Sequence, residues 1–274
     1  MSKINRKVFY ERYRVKYGGL KQIQVNTYEA IFNFWDSRSV LVDKRWLAYI
    51  LATAFHETGR AMKPIREGFC SSDACSIRVV TRMYKQGKIS RNYALVHRNG
   101  YSYFGRGLVQ LTHDYNYKRI GKSLGLETKL YDNPSLALKV DMSVKILCIG
   151  MLIGSFVSKH NLERYFNEIN EDWTGARRII NGTDKKELIK GYALNFLSFI
   201  EMLEEKEVLR KSINPQMPTM EVEDSNQMNI YFEVDRKLES TNDEDYKHIL
   251  LKPGEKENVL SYDEFLEKDV KVKK

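Results

Sequence analysis

Two glutamates, Glu57 and Glu67, are the residues of this chain whose types and spacing best fit acid–base chemistry. Glu57 lies seven residues after Ile50 and eleven after Trp46, which places it at the edge of an apolar stripe near the end of a predicted helix. Partial loss of hydration and the negative end of the helix dipole both favour a protonated carboxyl group there. Such a group can act as a general acid near neutral pH, and the alternative is a half-exposed surface glutamate.

Glu67 follows in a turn-rich segment, residues 63–68. Inverting glycosidases use two carboxyl groups about 6.5–9.5 Å apart, one to protonate the leaving oxygen and one to activate water. A glutamate at a helix end and another in the following loop can meet this spacing. The structural alternative is a surface ion pair of Glu67 with Arg66 or Lys63, which the spacing alone does not exclude.

The segment 103–112 carries a second unusual pattern, in which Arg106 stands between two glycines and the backbone can bend sharply or approach a substrate. For Arg106 itself we favour a role in supporting the loop. Gln110 and Thr112 alternate with apolar residues, which predicts a short extended segment with both polar groups on one side. Residues 113–117 add amide and aromatic groups of the kind that bind sugars. A nucleotide-binding loop is disfavoured because the further glycines and the lysine are missing.

Helical periodicity predicts the long elements that must position these residues. They lie at residues 26–35, 44–57, 133–157 and 183–209. Gly59 indicates that the second helix ends just after Glu57. Asn133 should cap the third, and a capping box of Asp184 with Glu187 should begin the fourth.

Between residues 59 and 112 the periodicity is broken by glycines and polar residues, which predicts loops and one short helix near residues 77–84. A long irregular segment inside a helical domain is where a site is expected. After residue 214 two prolines precede an acidic run. We therefore predict a mainly α domain at residues 1–214 and a small acidic α/β or partly disordered appendage of unknown role at residues 215–274.

The charge is distributed unevenly along the chain. Residues 201–274 contain 12 Lys and Arg and 19 Asp and Glu, a net charge of −7, so the overall +9 leaves +16 on residues 1–200. A domain this basic favours polyanionic surroundings such as nucleic acid, a membrane surface or a bacterial wall. The chain has no helix-turn-helix, zinc-finger or RNA-binding aromatic motif, so nucleic-acid binding ranks low.

The three cysteines are too few for a disulfide framework, and free thiols are favoured over a bridge between Cys70 and Cys75. Their spacing fits no zinc site, so we expect neither a metal nor a cofactor. The polar, basic N-terminus does not fit a secretory signal, and the most apolar window, residues 142–157, is too short to cross a bilayer. We expect a monomer made in the cytoplasm, without stable membrane insertion, that acts on a cell wall after release or export.

Four blocks of the sequence resemble, in the same order, glycoside hydrolase family 19, which includes plant-type chitinases and phage endolysins. They are His-Glu-Thr-Gly at 56–59, Tyr-Phe-Gly-Arg-Gly through Gln-Leu-Thr at 103–112, Tyr-Asn-Tyr at 115–117 and Ile-Ile-Asn-Gly at 179–182. The likeness covers roughly residues 5–205. It implies a mainly helical, lysozyme-like catalytic domain with a long cleft, and hydrolysis with inversion at the anomeric carbon.

The resemblance also implies roles for single residues. Glu57 matches the general acid, and Thr112 falls where a hydroxyl helps to hold the attacking water. Glu67 looks like the general base of the shorter phage-type arrangement, whereas plant-type members carry theirs farther along, in a Cys-containing loop that this chain does not reproduce. The substrate-binding matches are Tyr103, Gln110, Tyr115, Asn116 and Asn181.

Together these expectations describe a hydrolase that cleaves β-1,4 links in peptidoglycan or chitin, of the phage or prophage endolysin type. Its expected partner is a polysaccharide, and the basic charge favours peptidoglycan. The same polymer is favoured by the likeness of Phe9-Tyr10, Tyr17-Gly18 and residues 45–49 to the opening of phage-type members of the family. The first alternative is a non-catalytic module that binds wall glycans. A nucleic-acid-binding protein, suggested by charge alone, ranks third.

Overall fold

The computed structural model describes residues 3–38, 41 and 43–203, which form a mainly helical fold. The helices are α1 (Arg6–Tyr17), α2 (Gln22–Asp36), α3 (Lys44–Glu57), α4 (Asp73–Lys85), α5 (Asp114–Ser123), α6 (Lys129–Asp132), α7 (Val140–Ile153), α8 (Leu162–Tyr165) and α9 (Lys186–Phe199). Short 3₁₀ helices lie at Glu67–Phe69, Pro134–Leu138 and Gly175–Ile179, and the strands are β1 (Lys3–Ile4), β2 (Ile65–Arg66), β3 (Arg106–Gly107) and β4 (Met202–Leu203). The mainly α prediction is confirmed, and the predicted appendage at 215–274 lies outside the described residues.

Helix α3 is the central helix of the fold. Every residue from Leu47 to His56 is buried, in contrast to the single apolar stripe of a surface helix. It packs most extensively against α9 and also contacts α7. Asp43 caps its first turn by accepting a hydrogen bond from the Arg45 backbone at 2.9 Å, and the helix ends at Glu57, as predicted.

A cluster of aromatic rings joins α1, α2 and α9 to this central helix. The Phe9 ring of α1 lies 4.8 Å from Phe32 of α2 and 6.2 Å from Phe196 of α9, measured between centroids. Phe196 in turn lies 5.4 Å from Phe55 of α3. Buried rings contribute large apolar areas, so this cluster fixes how the outer helices dock on α3. The two ends of the described chain meet nearby, where β1 pairs antiparallel with β4.

The predicted helix at 133–157 is divided in the structure. Lys139 takes an extended conformation (φ −78°, ψ 134°), which separates the 3₁₀ helix Pro134–Leu138 from α7. Asn133 makes no side-chain capping bond, so its predicted capping role is wrong. Helix α7 ends at Ile153, and the following Gly154 caps it with a left-handed φ of +70°, as glycine commonly does.

The predicted helix at 183–209 corresponds to α9, which begins later and ends at Phe199. No side-chain capping bond is present, because the preceding Lys185 adopts a left-handed φ of +56°, so the predicted capping box of Asp184 and Glu187 is wrong. The predicted short helix near 77–84 is confirmed as part of α4. In the described ranges, none of the helices combines the length and the apolar character needed to cross a membrane.

Candidate active site

Glu57 is the last residue of α3, and its side chain is 14% exposed. The helix stops there because Thr58 leaves the helical conformation and its hydroxyl donates to the Ala54 carbonyl at 2.7 Å. Gly59 follows with a φ of +56°, which a residue with a side chain rarely adopts. The predicted position of Glu57, at the edge of the buried surface, is confirmed.

Arg177 is the partner of Glu57. Its Nη1 donates to Glu57 Oε1 at 2.6 Å, and its side chain is only 6% exposed. The guanidinium lies in the 3₁₀ helix Gly175–Ile179 and is held from its other side by Nε, which donates to the Asp184 carbonyl at 3.1 Å. Burial lowers the pKa of Arg177, but the charge of Glu57 and the hydrogen bond outweigh it, so the pKa is raised overall.

Sequence reasoning missed Arg177. Its only signal was its closeness to the Ile-Asn-Gly block, four residues before Asn181. In the structure the Asn181 backbone donates to the Arg177 carbonyl at 3.1 Å, and the exposed Asn181 side chain accepts from Gly182 at 2.9 Å. Asn181 therefore belongs to the same group of contacts as Glu57.

His56 is buried at the end of α3. Burial is the main cause that lowers its pKa to about 4, so the imidazole is neutral at pH 7. This agrees with a packed histidine rather than a proton donor.

Glu67 is positioned by a small antiparallel pair of strands. Strand β2 pairs with β3, Ile65 opposite Gly107, and Glu67 follows β2 directly. Both carboxylate oxygens are held: Tyr93 donates its hydroxyl to Oε1 at 2.5 Å, and the Gly105 backbone donates to Oε2 at 2.7 Å. The Glu67 backbone also donates to the Gly105 carbonyl at 2.8 Å. Glu67 is therefore an internal group of the loop and forms no surface ion pair with Arg66 or Lys63.

The pKa of Glu67 is raised because burial disfavours its charged form. The hydrogen bonds from Tyr93 and Gly105 and the charge of Arg106 act in the opposite direction and only partly offset this effect. The two glutamates thus sit in different environments, one beside a guanidinium and one in a buried site with neutral donors.

Gly105 is required by the close approach of two side chains. A Cβ atom at this position would lie 2.9 Å from Gln110 Oε1 and 3.3 Å from Glu67 Oε2. The structure therefore brings Glu67 and Gln110 together on one face of this glycine. Any larger residue at 105 would displace one of them.

Arg106 supports the loop, as predicted. It is buried, its Nη1 donates to the Ser102 carbonyl at 2.9 Å, and its guanidinium lies 3.6 Å from the Phe104 ring centroid. Its Nη2 forms an ion pair with Asp73 at 2.9 Å, and Asp73 also pairs with Arg66. The arginine thereby ties β3 to the start of α4, next to Glu67.

The predicted extended segment containing Gln110 and Thr112 is wrong. Arg106 and Leu111 exchange backbone hydrogen bonds at 3.2 and 2.9 Å, so residues 107–110 form a tight turn in which Gln110 has a φ of +49°. The Gln110 amide donates to the carbonyls of Ile65 and Gly107, which leaves its oxygen beside Gly105. The Thr112 hydroxyl makes no hydrogen bond with residues of the described ranges and is partly exposed.

Tyr103 was predicted to bind substrate, and this is wrong. The side chain is fully buried, its hydroxyl accepts from Asn99 and donates to the Tyr131 carbonyl, and its ring stacks on Tyr131 at 5.0 Å. Such a residue supports the loop from inside and has no surface to offer a ligand.

Asn116 and Tyr115 differ in how much of each side chain remains available to a ligand. The Asn116 amide donates to the Thr112 carbonyl and its oxygen accepts from Arg119, so both ends serve to hold the start of α5. Tyr115 is 52% exposed and stacks on His113, with 5.1 Å between centroids. Of the two, Tyr115 presents a ring face that a sugar could contact.

Cys70 and Cys75 form a disulfide, which corrects the expectation of free thiols. The short separation and the turn before α4 bring the two Cα atoms to 5.7 Å, within the usual range for a bridge. The bridge ties the segment after Glu67 to the first turn of α4. Cys148 is a free, buried thiol, as expected.

A cleft of about 830 Å³ is lined in part by Tyr93, and we call it the Tyr93 cleft. Its lining includes Arg91, Tyr93, Val96, Arg98, His113 and Tyr131. Tyr93 connects it to the catalytic candidate, because its hydroxyl binds Glu67 while its ring meets the His113 ring edge-on at 5.0 Å.

The chain is similar to known chitinases. Residues 22–148 match the family model described as chitinase class I, glycoside hydrolase family 19. An endochitinase of Arabidopsis thaliana is 33% identical over 123 residues, which is 43% of this chain and 40% of that protein. The chain therefore spans less than half the length of this curated relative.

Two solved structures are also similar. Chitinase C from Streptomyces griseus HUT6037 is 16% identical with a TM-score of 0.43, over 69% of this chain and 75% of that chain. A bacterial family 19 chitinase is 16% identical with a TM-score of 0.39, over 69% of this chain and 93% of that chain.

The family match covers Glu57, Glu67 and the turn at Gly105, whereas Arg177 and Asn181 lie beyond it. The glutamates that the site holds in place are thus inside the matched region. Residues 22–148 of the chain therefore resemble the chitinase class I family, glycoside hydrolase family 19.

Proposed function

We propose that the chain is a glycosidase that cleaves β-1,4 links in an amino-sugar polymer with inversion. The observation that carries this proposal is that one family match spans both glutamates, each of which is held by specific partners. Two positioned carboxyl groups are what this reaction needs, and the similar Arabidopsis protein is an endochitinase.

In the proposed reaction Glu57 protonates the oxygen of the leaving sugar, and Glu67 takes a proton from water as the water attacks the anomeric carbon. The Thr112 hydroxyl helps to hold that water. Arg177 fixes the orientation of Glu57, since a bidentate-capable guanidinium restricts the carboxylate to one arrangement. Tyr115 and Asn181 supply contacts to the sugar, and Gln110 and Asn116 support the segment around Tyr115.

The assignment of acid and base comes from the resemblance. Glu57 is paired with Arg177, while burial raises the pKa of Glu67. The pH dependence of activity therefore tests which group carries the proton.

Peptidoglycan is the polymer that we propose, with chitin as the other candidate. The +16 charge of residues 1–200 favours a polymer that carries carboxylates over a neutral one. We propose a lysis enzyme of the phage or prophage type that reaches the wall after release, and export by a contact-dependent secretion system is the alternative route.

The test uses the purified full chain on bacterial sacculi and on chitin oligomers, with mass analysis of the products. We expect soluble fragments cut at β-1,4 links, and Glu57→Gln and Glu67→Gln should each lower kcat about 100-fold or more. Unchanged sacculi and oligomers would remove the enzyme proposal. If Glu57→Gln retained full glycan binding and the wild-type protein cut nothing, the non-catalytic glycan-binding alternative would stand.

A further inference from the structure

The Tyr93 cleft is not explained by the chemistry at Glu57 and Glu67. Tyr93 lines the cleft and also binds Glu67 through its hydroxyl, and the cleft is large enough, at about 830 Å³, for a ligand of several residues. A group attached to a sugar bound at Glu67 would therefore reach the cleft beside Tyr93.

Two unpaired guanidinium groups line this cleft. Arg91 and Arg98 are exposed, and neither makes a hydrogen bond or an ion pair with residues 3–38, 41 or 43–203. The pKa of His113 is lowered mainly by burial and further by the charge of Arg91, so this imidazole is neutral at pH 7 and does not add to the charge. Arginines that are not used internally are well suited to bind carboxylates.

The cleft also offers one negative charge and an apolar edge. Asp114 lines it from the first turn of α5. Leu95 and Val96 are 62% and 60% exposed along its rim. Two cations, one anion and small apolar contacts together fit a short peptide with two carboxylates, one amine and methyl side chains.

We propose that the Tyr93 cleft binds a short acidic peptide attached to the amino sugar beside the scissile bond. This inference rests on the proposed glycosidase function and narrows its substrate to a peptide-substituted glycan. Arg91 and Arg98 bind the peptide carboxylates, and Asp114 binds its amine.

The experiment compares kcat/KM of the full chain on peptidoglycan glycan strands that retain their peptides and on the same strands after an amidase has removed them. The ratio of interest is kcat/KM on the strands with peptides divided by kcat/KM on the strands without them. The variant Arg91→Ala/Arg98→Ala should lower this ratio about tenfold, which corresponds to about 1.4 kcal/mol. The control is Arg78→Ala/Arg82→Ala, which removes the same charge from exposed positions of α4 that do not line the cleft. This control should keep the wild-type ratio.

A binding measurement separates failure of the cleft proposal from failure of the proposed function. A free muramyl tripeptide that ends in lysine is titrated into the full chain carrying Glu57→Gln, with and without Arg91→Ala/Arg98→Ala. Binding that depends on the two arginines supports the cleft even if the wild-type protein cuts no glycan. Three results would overturn the cleft proposal. The first is a kcat/KM ratio that does not change in Arg91→Ala/Arg98→Ala, and the second is an equal loss of this ratio in the Arg78→Ala/Arg82→Ala control. The third is the absence of tripeptide binding.

Discussion

At the scale of single residues, Glu57 and Glu67 are distinguished by the groups that hold them. Glu57 faces a buried guanidinium, whereas Glu67 receives a phenol and a backbone amide in a site where burial raises its pKa. Paired carboxyl groups in unequal environments divide the roles of acid and base, because only one retains its proton at the working pH. Tyr93, which binds Glu67, and Arg177, which binds Glu57, are therefore the residues to change in order to learn which glutamate retains its proton.

Tyr93→Phe tests the role of Glu67. The Tyr93 hydrogen bond lowers the pKa of Glu67, so its loss should raise that pKa further. If Glu67 is the base, it must be ionised, and the acidic limb of the kcat/KM profile should move to higher pH. Tyr101→Phe, which removes a hydroxyl from an exposed ring, should leave the profile unchanged. Movement of the basic limb instead would make Glu67 the acid and contradict the proposed roles.

Glu57→Ala and Glu57→Gln should differ in stability. Glu57→Ala leaves the buried Arg177 guanidinium without its anion, which should lower the free energy of unfolding by about 3 kcal/mol. Glu57→Gln keeps an oxygen that accepts from Arg177 and should cost less. Urea denaturation of both variants at pH 7 measures the difference. Equal stabilities would mean that the ion pair does not hold the end of α3.

At the scale of elements, the sequence predicted the helices whose positions follow from local apolar periodicity. It did not predict the structure of the segment around Glu67. The end of α3 at Glu57 follows from the apolar stripe of the helix and from Gly59, and both features are visible in the sequence alone. The hydrogen bond between Tyr93 and Glu67 joins residues that are 26 positions apart, and Arg177 pairs with a residue 120 positions away. Local patterns carry no information on such partners.

The break at Lys139 and the turn at Gln110 have a similar explanation. Nothing in the apolar spacing of residues 133–157 indicates an extended residue, and alternating polarity at 109–112 fits a strand as well as the turn that β2 and β3 impose. Tyr103 was assigned to the substrate because its block matches the family. Its burial beneath the loop is a property of packing, which a motif does not reveal.

The Cys70–Cys75 bridge gives a prediction for the segment that carries Glu67. Asp73, inside the bridged segment, pairs with Arg66 and Arg106, and Ser76 donates to the Glu67 carbonyl at 2.9 Å. Cys70→Ser/Cys75→Ser should lower the free energy of unfolding by about 2 kcal/mol, as expected for closing so short a loop, and should reduce kcat.

Thermal denaturation and activity with and without dithiothreitol provide the measurement. The reductant should lower Tm and kcat of the wild-type chain and should leave the double serine variant unchanged, because its remaining cysteine, Cys148, is buried. If the wild-type chain, shown by mass to be reduced, kept its Tm and activity, the bridge would not stabilise the site.

At the scale of the whole molecule, the uneven charge predicts how the protein responds to salt. The +16 of residues 1–200 should attract a carboxylated wall polymer, and the −7 of residues 201–274 opposes this only in part. Raising the ionic strength from about 0.1 M to about 1 M shortens the Debye length from about 10 Å to about 3 Å and screens long-range attraction. The initial rate on sacculi should therefore fall several-fold, whereas the rate on neutral chitin oligomers should change little. Turbidity assays on sacculi and product analysis on oligomers, at matched salt, measure both rates. A parallel fall on the two substrates would mean that salt acts on the site itself, and no fall on either would mean that the basic surface does not recruit the polymer.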